Sequence, residues 1–224
     1  MSEAVTREHD GRDPRVAHHF VDLEQQHESA TLGMWAFLVT EVMFFGGLFA
    51  GYAVYRHMYP EAFAAASHHL DHMLGAANTA VLLGSSLTMV LAVHAAQQGK
   101  RLALFGWLWT TILLGGAFLG VKAFEYHDKW SHHLIPGPGF EFEGVPGGHE
   151  QLFFAFYFAM TGLHAFHMLI GVGLLVWLSV LALRGRFTPE HHPAVEMTGL
   201  YWHFVDLVWI FLFPLLYLIG RHHG

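Results

Sequence analysis

No cysteine occurs anywhere in the 224 residues. Within this chain that excludes disulfides, iron–sulfur ligation, thioether-linked haem and any thiolate-bridged copper centre. Charge is scarce too: Asp, Glu, Lys and Arg make up 13% of residues, against about a quarter in a soluble domain. Basic residues are the rarer sign, 11 against 18 acidic, and a net charge of −7 offers no basic surface for nucleic acid. Apolar residues are plentiful at 54%, and 20 histidines are the abundant metal-capable group. With a mean hydropathy of +0.37, this is the balance of a membrane protein.

The apolar residues fall in five runs, Leu32 to Tyr55, Leu74 to Ala96, Leu102 to Tyr126, Leu152 to Leu183 and Thr198 to Ile219. At about 1.5 Å per residue each is long enough to cross a bilayer as a helix, and the fourth must tilt or protrude. The sequence therefore predicts an all-α, polytopic membrane protein of five transmembrane helices. A polar segment precedes them over residues 1–31, the membrane domain covers 32–219, and a short tail covers 220–224. No apolar run follows Arg7, Arg12 and Arg15 directly, so the start does not read as a cleaved secretory signal. Val16, Phe20, Leu23, Gln26 and His27 suggest a short amphipathic helix at the interface. Arg7, Arg12, Arg15, Lys100, Arg101, Arg184 and Arg186 share one side, and Arg56, Lys122, Lys129 and Arg221 the other. This bias places the N-terminus in the cytoplasm and the C-terminus in the periplasm of a bacterial inner membrane. The outer loop His127 to Gln151 is broken by proline and glycine, and it is acidic. The paired histidines outside the spans, such as His68/His69 and His191/His192, read as solvated surface.

Ionisable groups inside the runs are the candidate site. Glu41 lies near the midplane, where a carboxylate costs several kcal/mol unless it is protonated, hydrated or paired. His167 has matching depth on the fourth run and is the candidate partner, with His164 one turn away. His203 and Asp206, at i and i+3 of the last run, can pair with each other. Lys122 and Glu125 form a similar pair at the outer end of the third run, where snorkelling suffices. Asn78, Thr79, Trp202 and Trp209 are possible contacts to lipid or another subunit, although small polar groups in membrane helices more often join helices. No second ligand set accompanies His164/His167, so no metal site and no catalytic residue is assigned in this chain.

The strings LGMWAFLVTEVMFFGGLFAGY, ANTAVLLGSS, FLGVKAFEY, MTGLHAFHMLIG and YWHFVDLVWIFLF, in that order, resemble subunit III of the haem–copper oxidases. The resemblance spans all five runs. It implies a non-redox subunit of a terminal oxidase that reduces oxygen to water and moves protons in aerobic respiration. Such a subunit binds no haem or copper itself, those cofactors residing in partner subunits. Its partners are catalytic subunit I, subunit II, structural phospholipid held in a cleft and, indirectly, cytochrome c. The role implied is support of proton uptake and protection against turnover-linked inactivation. Glu41 matches the family's carbodiimide-reactive buried carboxylate, and His164, His167, Glu196, His203 and Asp206 match its other polar positions. Many members have seven spans, with a two-helix bundle before the glutamate helix; this chain has the look of the five-span bacterial form. Cytochrome c oxidase is the leading assignment. Quinol oxidase and a nitric oxide reductase accessory protein of the same fold are the alternatives, and a proton-coupled carrier using Glu41 is disfavoured because no inverted repeat is visible.

Overall fold

A computed structural model describes residues 20–142, 148–189 and 192–218. Five long helices cross it: α1 (Leu23–Met58), α3 (His72–Gln97), α4 (Arg101–Ser131), α5 (Glu150–Leu183) and α6 (Pro193–Phe213). A short helix, α2 (Pro60–Ser67), follows α1, and a π-helical turn, Pro214–Leu218, continues α6. All five long helices are apolar enough to span a membrane.

The element boundaries correct the sequence reading in four places. Among the described residues, the interfacial helix expected around Val16 to His27 is not a separate element. Val16 lies outside the described residues, and Leu23 onward is the first turn of α1. No glycine or proline stands between Leu23 and Leu32 to break the helix, and Asp22 caps it by accepting a hydrogen bond from the Gln25 amide at 2.7 Å. Nor does the outer loop begin at His127. The HDKWS segment carries no breaker, so α4 runs on to Ser131 and the turn is delayed to His133, whose φ is +54°. The third difference is α2, too short to show a period in the sequence. Its Pro60 sits in the first helical turn, and its Phe63 packs edge-on against Tyr52 (5.3 Å between centroids) and Phe153 (5.6 Å). The fourth is the end of α6. Pro214 has no amide proton and crowds the preceding turn, and the helix widens there into the π form. The Tyr52 hydroxyl donates to the Leu215 carbonyl at 2.9 Å, satisfying a group near the widened turn.

The chain packs as an up-and-down bundle around α5 and α6. One end, here the near end, gathers the start of α1, the end of α3 and the start of α6: the Gln97 side chain of α3 donates to Glu196 of α6. The far end holds α2, the π turn and the α4–α5 loop, with His69 against Phe142 and Tyr59 stacked on His149. Close approach in the middle depends on glycine. The Trp202 ring lies between Gly115 of α4 and Gly171 of α5, where an added Cβ would sit 2.8 Å and 2.9 Å from ring carbons. Small residues thus make room for a fully buried indole, whose Nε1 donates to Ser85 Oγ of α3 at 3.0 Å. By contrast, α1 buries only Leu38, Phe45 and Tyr52, a stripe at seven-residue spacing, and leaves Trp35, Val42, Met43 and Phe44 exposed.

Candidate functional site

Glu41 sits midway along α1 and His167 midway along α5, so equal depth brings them together. His167 Nε2 lies 3.1 Å from Glu41 Oε2. The imidazole is fixed on its other side, where Nδ1 is 2.9 Å from the Leu163 carbonyl. A carbonyl only accepts, so Nδ1 carries a proton. One further proton then lies between Nε2 and Oε2, and the pair is net neutral whichever atom holds it. Phe45 covers the ring at 5.5 Å, and the Tyr201 hydroxyl donates to the His167 carbonyl at 2.9 Å. The Glu41 side chain is still 18% exposed, so the pair opens at the edge of α1 rather than into the bundle centre.

The polar residues singled out with them are dispersed. His164, one turn from His167, turns into the core between Phe118 and Trp209, each 5.3 Å away, and neither ring nitrogen has a hydrogen-bond partner. His203 and Asp206 do not pair. His203 Nδ1 is 2.8 Å from Ser86 Oγ on α3, and both oxygens of the buried Asp206 are without a hydrogen-bond partner. The i and i+3 side chains diverge because the Ser86 hydroxyl competes successfully for the imidazole. Glu196 lies at the near end, 3.1 Å from His192 Nε2 and within reach of Gln97. His192 is therefore engaged rather than solvated. Asn78, Trp202 and Trp209 are buried within this chain and Thr79 is half-buried, and they join helices: Asn78 donates to the Phe118 carbonyl, and the Trp209 Nε1 donates to Thr79 Oγ1 at 3.0 Å. Both indoles are fully buried.

The largest departure from the sequence reading is at Lys122 and Glu125. Both are only 4% exposed, so snorkelling does not describe them. Lys122 Nζ donates to Glu125 Oε2 (2.9 Å), Tyr217 Oη (2.7 Å) and Tyr157 Oη (3.3 Å). The two tyrosines in turn donate to Glu125 Oε1, at 2.6 Å from Tyr217 and 2.9 Å from Tyr157. The ammonium also lies over the rings of Trp209 (4.9 Å) and Tyr157 (5.2 Å). A buried ion pair is tolerated only when its remaining valences are filled, and here the hydroxyls of Tyr157 on α5 and Tyr217 in the π turn fill them. Tyr157 and Tyr217 are about 60 residues apart in sequence and carried no local signal; only the π turn aims Tyr217 inward.

Comparison with known proteins fits this arrangement. Residues 18–221 match the family model described as "Cytochrome c oxidase subunit III". The chain is 32% identical to the cytochrome c oxidase subunit 3 of Thermostichus vulcanus, over 90% of this chain and 93% of that protein. It is 33% identical to the cytochrome bo(3) ubiquinol oxidase subunit 3 of Pseudomonas aeruginosa, over 98% and 99%. The cytochrome c oxidase subunit 3 of Dugong dugon is 34% identical over 84% of this chain but only 69% of its own length. On the strength of that family match and five membrane-crossing helices, the chain belongs to the cytochrome c oxidase subunit III family.

Proposed function

We propose that this chain is the non-redox third subunit of a proton-moving haem–copper oxidase, with its N-terminus cytoplasmic and the oxygen chemistry confined to catalytic subunits that bind the haem and copper. What carries the reading is the Glu41–His167 pair. It places a shared proton at mid-depth on a helix whose outer face the chain leaves uncovered. A net-neutral pair there needs no counter-ion from lipid, which suits a helix edge that meets phospholipid and a neighbouring subunit. The pair joins α1 to α5 and so holds the peripheral helix to the bundle. Its role is to keep that edge intact during turnover, supporting proton uptake and the stability of the catalytic subunit.

Cytochrome c is the proposed electron donor. A quinol is the second reading, favoured by the near-equal identity to the Pseudomonas aeruginosa relative. Oxygen uptake by the purified complex, driven in turn by reduced cytochrome c and by a quinol, separates the two. The non-redox assignment is tested by dissociating this chain from the complex and measuring haem and metal in each fraction. Haem and copper should remain with the other subunits. Stoichiometric haem or copper travelling with this chain would overturn the reading.

A further inference from the structure

At the near end the α3–α4 and α5–α6 connections clasp each other. The helix α3 stops at Gly99 (φ +68°) and α5 at Gly185 (φ +70°), each in the left-handed conformation that closes a helix. Each of these glycines is covered by the other connection. An added Cβ on Gly99 would lie 3.0 Å from the Pro189 ring, and one on Gly185 would lie 2.5 Å from Arg101 Nη1. Phe187 is buried and anchors the second connection in the core. The clasp gathers four exposed cations on one flank of the bundle, Lys100 and Arg101 from one connection and Arg184 and Arg186 from the other. Among the described residues, no carboxylate forms an ion pair with any of them. The far end is built differently: Lys122 and Lys129 are buried there and paired with Glu125 and Asp128. Next to the four cations, toward the middle of the membrane, apolar side chains are exposed on both helices. Leu102 and Trp109 lie seven residues apart on α4, and Val176, Val180 and Leu183 follow one face of α5.

We propose that this flank binds the headgroup phosphate of an anionic phospholipid in the adjacent leaflet, with its acyl chains along the exposed faces of α4 and α5. A phosphodiester suits guanidinium groups, whose planar donors match its oxygens two at a time. The clasp holds Arg101 against the backbone between Arg184 and Arg186, so the cations converge before a ligand arrives and little ordering is left to the binding step. A bias of positive charge toward one side of the membrane accounts for the sign of these connections, but not for their interlocking. A free anion would use the cations alone, whereas a lipid also uses the apolar stripes that continue from them. The site is distinct from the Glu41 edge. The helix α4 packs against α3 and α5, while α1 packs against α5 and α6, so α5 stands between the two. The proposal rests on the cytoplasmic N-terminus inferred above only in naming the leaflet as the inner one.

The test is native mass spectrometry of the purified complex, titrated in detergent with phosphatidylglycerol and, as the zwitterionic control, phosphatidylethanolamine. Each cation removed should weaken phosphatidylglycerol binding about fivefold. Arg101→Gln combined with Arg186→Gln should therefore weaken one binding event about 25-fold, with phosphatidylethanolamine binding and subunit content unchanged. Arg186→Gln alone, with its fivefold loss, carries the test if the double variant fails to assemble. Arg56→Gln at the far end removes the same charge and should change nothing. Glycerol 3-phosphate in excess should leave the lipid in place. Equal phosphatidylglycerol binding in wild type and the Arg101/Arg186 variants would overturn the site, and so would an equal loss in Arg56→Gln. Displacement by glycerol 3-phosphate would assign the cations to a soluble phosphate instead. Loss of a neighbouring subunit with lipid binding unchanged would assign them to a protein contact, and either result overturns the proposal. Lipid binding is read without oxygen uptake or haem, so this site can fail while the subunit III reading stands, and the reverse.

Discussion

Two polar sites sit in the same membrane interior and are built in opposite ways. Lys122 and Glu125 lie within one turn of α4, and the fold closes over them with two tyrosines, an indole and the π turn. Glu41 and His167 come from different helices, make a single contact, and stay partly open at the edge of α1. The first arrangement satisfies full charges by surrounding them. The second shares one proton across a net-neutral pair and leaves it partly exposed at the helix edge. The difference separates a site that secures the fold from one available to a neighbour.

The largest effect should come from breaking the enclosed site. Removing one partner of a buried pair leaves an uncompensated charge and costs about 3–5 kcal/mol. Glu125→Ala should therefore strip this chain from the purified complex, or lower the temperature at which it dissociates. Lys122→Met combined with Glu125→Leu should recover much of that loss, since no charge is then buried. A double variant as damaged as the single one would show that the ions themselves are required.

Next in size is the packing of Trp202 between α4 and α5. Gly171→Leu drives a side chain into the Trp202 ring. Overpacking of this kind costs about 1–3 kcal/mol, so thermal dissociation should fall measurably, with less loss in Gly171→Ala. An unchanged melting profile in the leucine variant would mean that the helices separate more easily than their contacts suggest.

The open site should give a smaller effect still. Interhelical hydrogen bonds in membranes contribute on the order of 0.6 kcal/mol and at most about 1.7 kcal/mol. Glu41→Gln, which keeps a polar side chain beside His167, should retain subunit and lipid better than Glu41→Ala, as read by mass analysis of the complex in detergent. Smallest of all is the outer loop. Neutralising Glu141 together with Glu143, which lies outside the described residues, should weaken the salt dependence of turnover with a basic donor through on-rate alone. An unchanged salt profile would remove the loop from donor recognition.

The contrast between the sites also explains how much was legible in the sequence. A lone carboxyl in a long apolar run is conspicuous, and helix rise alone matched Glu41 in depth to His167. Continuity of α1 below Leu32 was missed because polarity was read as a boundary, when only glycine, proline or a competing cap ends a helix. The pairing of His203 was missed because spacing within one helix cannot reveal a hydroxyl on another. Tyr217 reaches Glu125 only through the widened turn after Pro214, a backbone effect that the apolar pattern does not encode. Sequence pattern locates which polar groups lie within the apolar runs; tertiary packing decides which of them are buried and which meet.

The most direct test of a scaffold rather than a reacting role for the open pair is the oxygen uptake of the purified complex carrying Glu41→Ala, followed from the first turnovers onward. The expected result is a haem content equal to wild type and an initial rate within about twofold of it, with faster loss of activity over sustained turnover as the α1 edge loosens. Abolition of the first turnovers with haem intact would contradict it, and would place Glu41 in the chemistry itself.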